Sequence, residues 1–211
     1  MIVFFLFPLT FIYKFFLILR KTFAKTIKFD VPVICVGNIY VGGTGKTPLS
    51  IFIANELKKR NKKPVIIKKF YKNHKDEHLM IKENLNDLIL SDRRVNALKE
   101  AIEKGFNTVI LDDGFQDHSV FKNINIICFN QKQLIGNGFV YPAGPLREDI
   151  KSLKDAHIIL INGFRDQNFE QEILKINTKI LFFYSKYVPK NIEIYKGKRL
   201  FAFAGIGNPE N

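Results

Sequence analysis

The chain has 211 residues and carries 33 lysines and arginines against 20 acidic residues, a net charge of +13. This balance favours an acidic partner, such as nucleic acid, an anionic membrane surface or a phosphorylated substrate. The hydrophobic fraction of 46% is enough for at least one sizeable core and argues against a disordered chain. Cys35 and Cys128 each lie in an apolar run, so we expect buried, reduced thiols rather than a disulfide or a zinc site.

The N-terminal segment 2–19 is almost entirely apolar and is followed by the cations Arg20, Lys21, Lys25 and Lys28. No basic residue precedes it and no small-residue cleavage site follows, which argues against a signal peptide. Its length barely reaches a bilayer span, so we expect an interfacial helix with its cations on anionic headgroups. If it crossed the membrane, the positive-inside rule would keep the rest cytoplasmic. The alternative is a helix docked on the protein's own core.

The stretch 31–48 has the order of a phosphate-binding loop. An apolar run predicts a buried strand, a glycine-rich turn follows, and Lys46 and Thr47 open a helical pattern. Glycines let backbone N–H groups converge on an anion, and the helix start adds partial positive charge. In such a loop the lysine reaches the terminal phosphates and the threonine binds Mg²⁺. The predicted nucleotide-binding residues are Val41, Gly42, Gly43, Thr44, Gly45, Lys46 and Thr47.

The match to the motif G-x-x-x-x-G-K-[ST] is incomplete, because Tyr40 stands where the first glycine belongs. We therefore expect the chain to enter the loop differently, by way of Gly37. The alternative is an ordinary glycine-rich turn between a strand and a helix.

A second strand is predicted over 63–68, and the segment 69–83 after it is polar. Its two histidines, His74 and His78, have the spacing of a zinc protease motif, but Lys75 replaces the required glutamate, so zinc is disfavoured. Asp76 or Glu77 is the better candidate for chemistry beside a nucleotide. The alternative is a solvated loop.

The middle of the chain continues the alternation. A short strand over 85–91 precedes a helical stripe, for which Asp92 is the predicted N-cap and Gly105 the end. The next apolar strand, 108–112, ends in Asp112 and Asp113. Carboxylates at this position hold Mg²⁺ beside bound phosphates, although two acids before a glycine also suit a plain turn.

The rest of the chain has further predicted strands at 125–129, 156–162, 181–184 and 199–204. Between the first two lies the Gly/Pro-rich segment 136–148, which ends in Arg147 and Glu148. Near a nucleotide, this pair could supply a phosphate contact and a further metal ligand. The whole pattern predicts an α/β fold, a P-loop NTPase-like and mostly parallel sheet with helices on both faces, preceded by the apolar helix. Because sites gather at the carboxyl ends of such strands, we expect an enzyme.

Four motifs together resemble one family, tetraacyldisaccharide 4′-kinase, and occur in its order. They are VGNIYVGGTGKTP at 36–48, LDDGFQ at 111–116, GNGFVYPAGPLRE at 136–148 and FAGIGNPE at 203–210. The family's P-loop also lacks the leading glycine, and the apolar N-terminus resembles its membrane-associating helix. The resemblance implies ATP- and Mg²⁺-dependent phosphorylation of the 4′-hydroxyl of an acylated disaccharide 1-phosphate, at the cytoplasmic face of the bacterial inner membrane.

The resemblance also implies roles for individual residues. The catalytic residues would be Asp76, as base, and Lys46, which with Thr47 would also bind the phosphates. Thr47, Asp112, Asp113 and Glu148 would surround the metal, and Gln116 and Arg147 would contact the substrate. We divide the chain into a membrane-associating part (1–29), a kinase core (30–197) and the start of a C-terminal lobe (198–211).

Several positions depart from the family pattern. Lys68-Lys-Phe-Tyr71 replaces Ser-Arg-Gly-Tyr, Lys75 replaces the glycine before the predicted base, and Asp117 follows the DDGFQ motif. The family's C-terminal lobe, with a histidine partner of the base, has no counterpart here, so we expect nucleotide binding to survive better than turnover. The alternative function is a membrane-associated P-loop ATPase, or a catalytically impaired ATP-binding fragment, without lipid kinase activity. Nucleic-acid binding is disfavoured, because the basic residues are scattered and form no recognised motif. Nothing indicates the oligomeric state.

Overall fold

A computed structural model of the chain describes residues 2–70, 75–188 and 192–199. Its α-helices are α1 (Ile2–Thr22), α2 (Lys46–Lys59), α3 (Lys75–Asn84), α4 (Arg94–Glu103) and α5 (Gln167–Leu174). Its strands are β1 (Val33–Gly37), β2 (Pro64–Lys68), β3 (Leu88–Leu90), β4 (Thr108–Asp112), β5 (Ile124–Asn130), β6 (Ile158–Asn162) and β7 (Leu181–Ser185). Two short 3₁₀ helices cover Ile150–Asp155 and Ile192–Tyr195.

The seven strands form one sheet in the order β3-β2-β4-β1-β5-β6-β7, and each neighbouring pair is parallel. The order runs one way from β1 through β4 and the other way through β5, so β1 lies at the topological switch point, where such sheets bind ligands. The predicted P-loop strand is therefore the central strand of the sheet. The prediction of an α/β parallel sheet is confirmed.

Helices cover both faces of the sheet, as predicted. Ile66 of β2 packs with Ile51 of α2 and Ile81 of α3 on one face. Ile67, the next residue of β2, points to the other face and packs with Leu98 of α4. This alternation follows from the two-residue period of a strand. Because both faces of the sheet are covered, the buried strands are mostly apolar along their middle residues.

Helix α1 lies against the body through polar contacts and through Tyr13 and Leu17, which pack on the core, and it exposes apolar side chains on its other side. The Thr10 hydroxyl donates to the Val140 carbonyl at 3.3 Å, and the Tyr13 hydroxyl donates to the Arg147 carbonyl at 3.2 Å. The exposed side chains include Leu9, Phe11, Ile12, Phe15, Phe16 and Ile18. Within the described ranges, no helix combines the length and hydropathy needed to cross a membrane.

Some local predictions are wrong. Asp92 is not the N-cap of α4: the cap is Arg93, whose backbone N–H is bound by the Ser91 hydroxyl instead. The solvated-loop alternative for 69–83 is wrong from Lys75 onward, because α3 forms there and buries Ile81 against the sheet. The predicted strand 85–91 is shortened to β3.

Other predictions fall outside the described residues. They concern His74, the last predicted strand and the motif at 203–210. The division of the chain into three parts stays a prediction.

Candidate active site

The loop between β1 and α2 forms an open cradle at the carboxyl edge of the central strand. Gly42 and Gly45 have φ angles of 134° and 82°, which side-chain-bearing residues rarely adopt. Gly45 is the N-cap of α2, and within the described chain no side chain caps this helix. The first-turn N–H groups and the helix dipole are therefore available to an anion.

Asn38 fixes the shape of this loop. Its side-chain amide donates to the Gly42 carbonyl at 3.3 Å and to the Thr44 hydroxyl at 3.1 Å, and the residue is fully buried. Tyr40, at the position of the missing glycine, instead bridges to Leu146 in the Gly/Pro-rich segment. The loop does begin at Gly37. A glycine is needed there for packing, because a Cβ at this position would lie 2.5 Å from Phe115 Cβ.

Thr47 and Asp112 meet as the motifs predict. The Thr47 hydroxyl donates to Asp112 Oδ2 at 2.9 Å, and Ser50 Oγ lies 3.4 Å from the other carboxylate oxygen. Asp112 is fully buried, so its negative charge requires a partner. The residues predicted to bind Mg²⁺ from α2 and β4 are therefore in direct contact.

The partner of Asp112 is Lys68, which the sequence analysis did not select. Lys68 is the last residue of β2, and its ammonium lies 2.5 Å from Asp112 Oδ2 and 2.6 Å from Glu77 Oε2. Burial lowers the pKa of Lys68, but the carboxylates of Asp112 and Glu77 outweigh burial and the pKa rises above its ordinary value. A lysine that ends an apolar strand beside a P-loop is the signal that would have identified it.

Asp113 and Arg147 form the second charged contact of the site. Two guanidinium nitrogens of Arg147 bind the two Asp113 oxygens at 2.6 and 3.1 Å, and Arg147 also donates to Gln116 Oε1 at 2.7 Å. Lys46 Nζ lies 3.9 Å from Asp113. Burial raises the pKa of Asp113, but Arg147 and Lys46 outweigh it and hold this pKa well below its usual range.

A third contact was also missed. Arg94, the first residue of α4, donates to the Asp113 carbonyl at 2.6 Å and to Asp117 Oδ2 at 2.9 Å. Burial raises the pKa of Asp117, but the Ser119 hydroxyl and backbone N–H together with Arg94 lower it to about 2. Asp117 is the residue that departs from the family pattern after Gln116, and here it anchors α4 to the site.

Asp76 is not joined to this network. It is exposed in the first turn of α3, and no hydrogen bond or ion pair links it to another described residue. The neighbouring Glu77 is the acid that reaches the site through Lys68. The role of Asp76 as catalytic base stays a prediction.

Glu148 follows Arg147 but faces different surroundings. It is 8% exposed and lines a cavity of about 950 Å³ together with Lys21, His118 and Lys122. Burial raises the pKa of Glu148, and the surrounding cations offset only part of this rise. Burial and the same cations lower the pKa of His118 to about 4. Among the described residues no hydrogen bond or ion pair joins Glu148 to the cradle side chains, and its role as a metal ligand stays a prediction.

The oxygen atoms beside the cradle suit a magnesium ion that takes some of its ligands from the protein and the others from phosphates. In the part of the chain that the structure describes, no group of three or more His, Cys, Asp and Glu side chains is arranged to hold a metal. Thr47 and Asp112 nonetheless offer a hydroxyl and a carboxylate in contact, with Asp113 next along the chain. Mg²⁺ prefers such oxygen ligands and takes the rest from phosphates and water.

The sequence of this chain is similar to those of known proteins. The family model described as tetraacyldisaccharide-1-P 4′-kinase matches residues 2–211. The tetraacyldisaccharide 4′-kinase of Pelagibacter ubique is 41% identical over 191 residues, which cover 89% of this chain and 60% of that protein. The enzyme of the same name from Rickettsia bellii is 33% identical over 225 residues, which cover 99% and 69%. The chain thus spans 60% to 69% of the length of these curated relatives.

Two solved structures share the fold. The crystal structure of LpxK from Aquifex aeolicus in complex with ATP matches with a TM-score of 0.67 and 22% identity, covering 98% of this chain and 87% of that one. The signal recognition particle 54 kDa protein of Aeropyrum pernix in complex with GDP matches with a TM-score of 0.51 and 11% identity, covering 74% and 41%.

Proposed function

Because this chain belongs to the tetraacyldisaccharide-1-P 4′-kinase family, we propose that it transfers a phosphoryl group from ATP to the 4′-hydroxyl of a tetraacylated disaccharide 1-phosphate. The observation that carries this proposal is the contact between Thr47 and Asp112 at the open cradle of the central strand. The pairing of a P-loop hydroxyl with a carboxylate from a neighbouring strand is what P-loop enzymes use around Mg-nucleotides. The named activity of the similar proteins gives the acceptor.

Different residues of the cradle would bind the phosphates and the metal ion. The loop 41–47 and the first turn of α2 would hold the phosphates through backbone N–H groups, with Lys46 on the terminal phosphates. Thr47, Asp112 and Asp113 would hold Mg²⁺, which neutralises phosphate charge and fixes the geometry of transfer when it is bound. Arg147 binds Asp113 at 2.6 Å and donates to Asn38 Oδ1 at 2.7 Å, which holds both side chains beside the loop.

The acceptor hydroxyl needs a base that takes its proton and side chains that hold the substrate in place. Asp76 is our proposal for the base: it is exposed in the first turn of α3, one residue before the acid that binds Lys68 at 2.6 Å. In this role its carboxylate would accept the hydroxyl proton as the oxygen attacks the terminal phosphorus. Gln116 and Arg147 are proposed to contact the substrate, and Glu148 to complete the metal environment.

The surface suits an acylated, phosphorylated sugar at a membrane. Helix α1 exposes large apolar side chains while its polar contacts hold it to the segment that carries Arg147. We propose that this exposed side lies in an anionic membrane surface, with Lys25 and Lys28 on the headgroups. For a kinase of lipid A synthesis, the face would be the cytoplasmic side of the bacterial inner membrane.

The test is phosphoryl transfer from labelled ATP to a tetraacylated disaccharide 1-phosphate, with the protein in mild detergent and Mg²⁺ present. We expect Lys46→Ala to weaken ATP binding at least tenfold and to abolish transfer. Lys59→Ala, at the exposed end of the same helix, is the matched control and should change neither. ATP binding that is unaffected by Lys46→Ala would contradict the proposal. Hydrolysis of ATP without transfer would favour the ATPase alternative.

A further inference from the structure

The ammonium group of Lys68 lies in the position that a metal ion would take in the proposed site. Its Nζ contacts Asp112 Oδ2 at 2.5 Å and lies 3.3 Å from the Thr47 hydroxyl oxygen. These are the two groups that would bind Mg²⁺ beside the P-loop. A third acceptor, Glu77 Oε2, lies at 2.6 Å.

These three contacts satisfy the ammonium completely. A lysine ammonium has three N–H donors and no acceptor, so two carboxylates and one hydroxyl oxygen match its full capacity. Lys68 is only 3% exposed, so water has little access to replace a lost contact. The lysine is thus held in place by the same charge and burial that make Asp112 a good metal ligand.

A divalent cation and this ammonium cannot share Asp112 as the side chains now lie. Asp112 is fully buried, one of its oxygens already accepts from both Thr47 and Lys68, and the other lies 3.4 Å from Ser50 Oγ. A metal bound to either Asp112 oxygen would lie within a few ångströms of the Lys68 ammonium. The two positive charges would repel strongly there, because little water screens them. Metal binding therefore requires Lys68 to move.

We propose that Lys68 is a tethered competitor of the divalent cation, which occupies the metal position until Mg²⁺ and nucleotide displace its ammonium toward Glu77. This inference rests on the proposed function, because it concerns the same nucleotide site. Glu77 is the partner that lets the lysine leave: its side chain is 40% exposed, against 0% for Asp112, so the ammonium can follow it toward water. The four-carbon stem of lysine gives the necessary reach.

The competition has a consequence for metal binding without nucleotide. A site whose competent form is only partly populated binds more weakly in proportion to that fraction. Lys68→Met removes the competing charge and keeps the length and most of the volume of the side chain. We expect this variant to bind divalent cations at least tenfold more tightly than the unmodified protein.

The experiment is a titration of the purified chain with Mn²⁺, with free Mn²⁺ followed by electron paramagnetic resonance, without nucleotide and then with a non-hydrolysable ATP analogue. Lys69→Met, which removes the adjacent and half-buried lysine, is the matched control and should leave the Mn²⁺ affinity unchanged. Lys68→Arg keeps a cation in place and should stay as weak as the unmodified protein. Equal or weaker Mn²⁺ binding by Lys68→Met would overturn the proposal.

A second variant covers the case in which Lys68→Met does not fold. Glu77→Gln removes the partner to which the ammonium would move, so we expect Mn²⁺ binding to weaken at least threefold. Glu83→Gln, which removes an exposed acid from the same helix, serves as its control. Mn²⁺ binding by Glu77→Gln that is as tight as in the unmodified protein would overturn the proposal.

The outcome is separable from that of the proposed function. If Lys46→Ala weakens ATP binding and abolishes transfer while Lys68→Met leaves Mn²⁺ binding unchanged, the kinase proposal stands and the competition does not. If Lys68→Met tightens Mn²⁺ binding but ATP binds equally well to Lys46→Ala, the competition stands and the kinase proposal fails.

Discussion

Two regions of this molecule bury carboxylates, and they differ in whether a cation contacts the buried negative charge. At the cradle, Asp112 and Asp113 are each in direct contact with a cation, at 2.5 Å from Lys68 and 2.6 Å from Arg147. In the cavity beside α1, the Glu148 carboxylate has cations around it, but no hydrogen bond or ion pair joins it to another described residue. The first region compensates its charges through contact, and the second leaves one charge poorly compensated.

The pKa shifts express this difference. Contact with Arg147 and Lys46 lowers the pKa of Asp113 in spite of burial, whereas burial raises the pKa of Glu148 in spite of its neighbours. A lowered carboxyl pKa means that ionisation stabilises the fold, and a raised one means that ionisation opposes it. A half-buried acid such as Asp113 and a buried acid such as Glu148 can therefore contribute to stability with opposite signs.

The largest expected effect comes from breaking the compensated region. Asp112→Ala leaves the buried ammonium of Lys68 with a partly exposed partner, so we expect a loss of about 3–5 kcal/mol in the free energy of unfolding. Urea unfolding followed by circular dichroism measures it.

The matched control for that experiment removes a carboxylate–lysine contact beside the other region. Asp155 binds Lys21 at 2.6 Å, but both side chains are more than 40% exposed. We expect Asp155→Ala to cost about 1 kcal/mol or less, because solvent screens exposed ion pairs. Similar losses in the two variants would show that contact at Asp112 adds no special stability.

The cradle half of this comparison could largely be predicted from the sequence. An apolar run that ends in Asp112, together with a glycine turn before Lys46, places both at the carboxyl edge of a parallel sheet. Strong hydrophobic patterns fix the strands, and the strands fix where their ends lie. The seven-stranded order itself adds what no pattern shows: β1 is central.

The charges that balance the site could not be predicted in the same way. Lys68 and Arg94 are 3% and 7% exposed, and long cations at the ends of elements are normally solvated. Their burial depends on carboxylates far away in the sequence. Adjacency was also a weak guide for Arg147 and Glu148: neighbouring backbones do not fix which way each side chain points, and these two face different regions.

An intermediate effect tests the packing between the two regions. Phe115 lies against Gly37 at the cradle and also lines the cavity of Glu148. A methyl group at Gly37 would lie 2.5 Å from Phe115 Cβ, so Phe115 or the end of β1 would have to shift. We expect Gly37→Ala to lower the free energy of unfolding by about 1–3 kcal/mol, as overpacking does.

Gly43 provides the control for Gly37→Ala, because a Cβ there meets no atom within 4 Å. Gly43→Ala should leave urea unfolding nearly unchanged. If Gly37→Ala is equally harmless, Phe115 can shift freely, and the two regions are not separated by rigid packing.

The smallest expected effect has the opposite sign. Glu148→Gln removes a carboxylate whose ionisation opposes folding, so we expect the free energy of unfolding at neutral pH to rise, by about 1 kcal/mol or less. The folded protein holds the Glu148 proton more tightly than the unfolded chain, whose reference pKa is 4.5. The protonated Glu148 side chain therefore stabilises the unmodified protein below pH 4.5, and this stabilisation is lost as pH rises from 4.5 through the raised pKa. The higher stability of Glu148→Gln should accordingly vanish below about pH 4.5. Urea unfolding at a series of pH values measures it.

Asp117→Asn shows the reverse dependence and completes the comparison. The pKa of Asp117 is about 2, below its reference of 3.8, so its carboxylate stabilises the fold above 3.8 and loses this effect as pH falls toward 2. Asp117→Asn should therefore be less stable than the unmodified protein at neutral pH. If Glu148→Gln is also less stable there, the surrounding cations compensate Glu148 after all, and the two regions hold their charges alike. If it is more stable yet loses phosphoryl transfer, the cost of burying Glu148 serves the reaction rather than the fold.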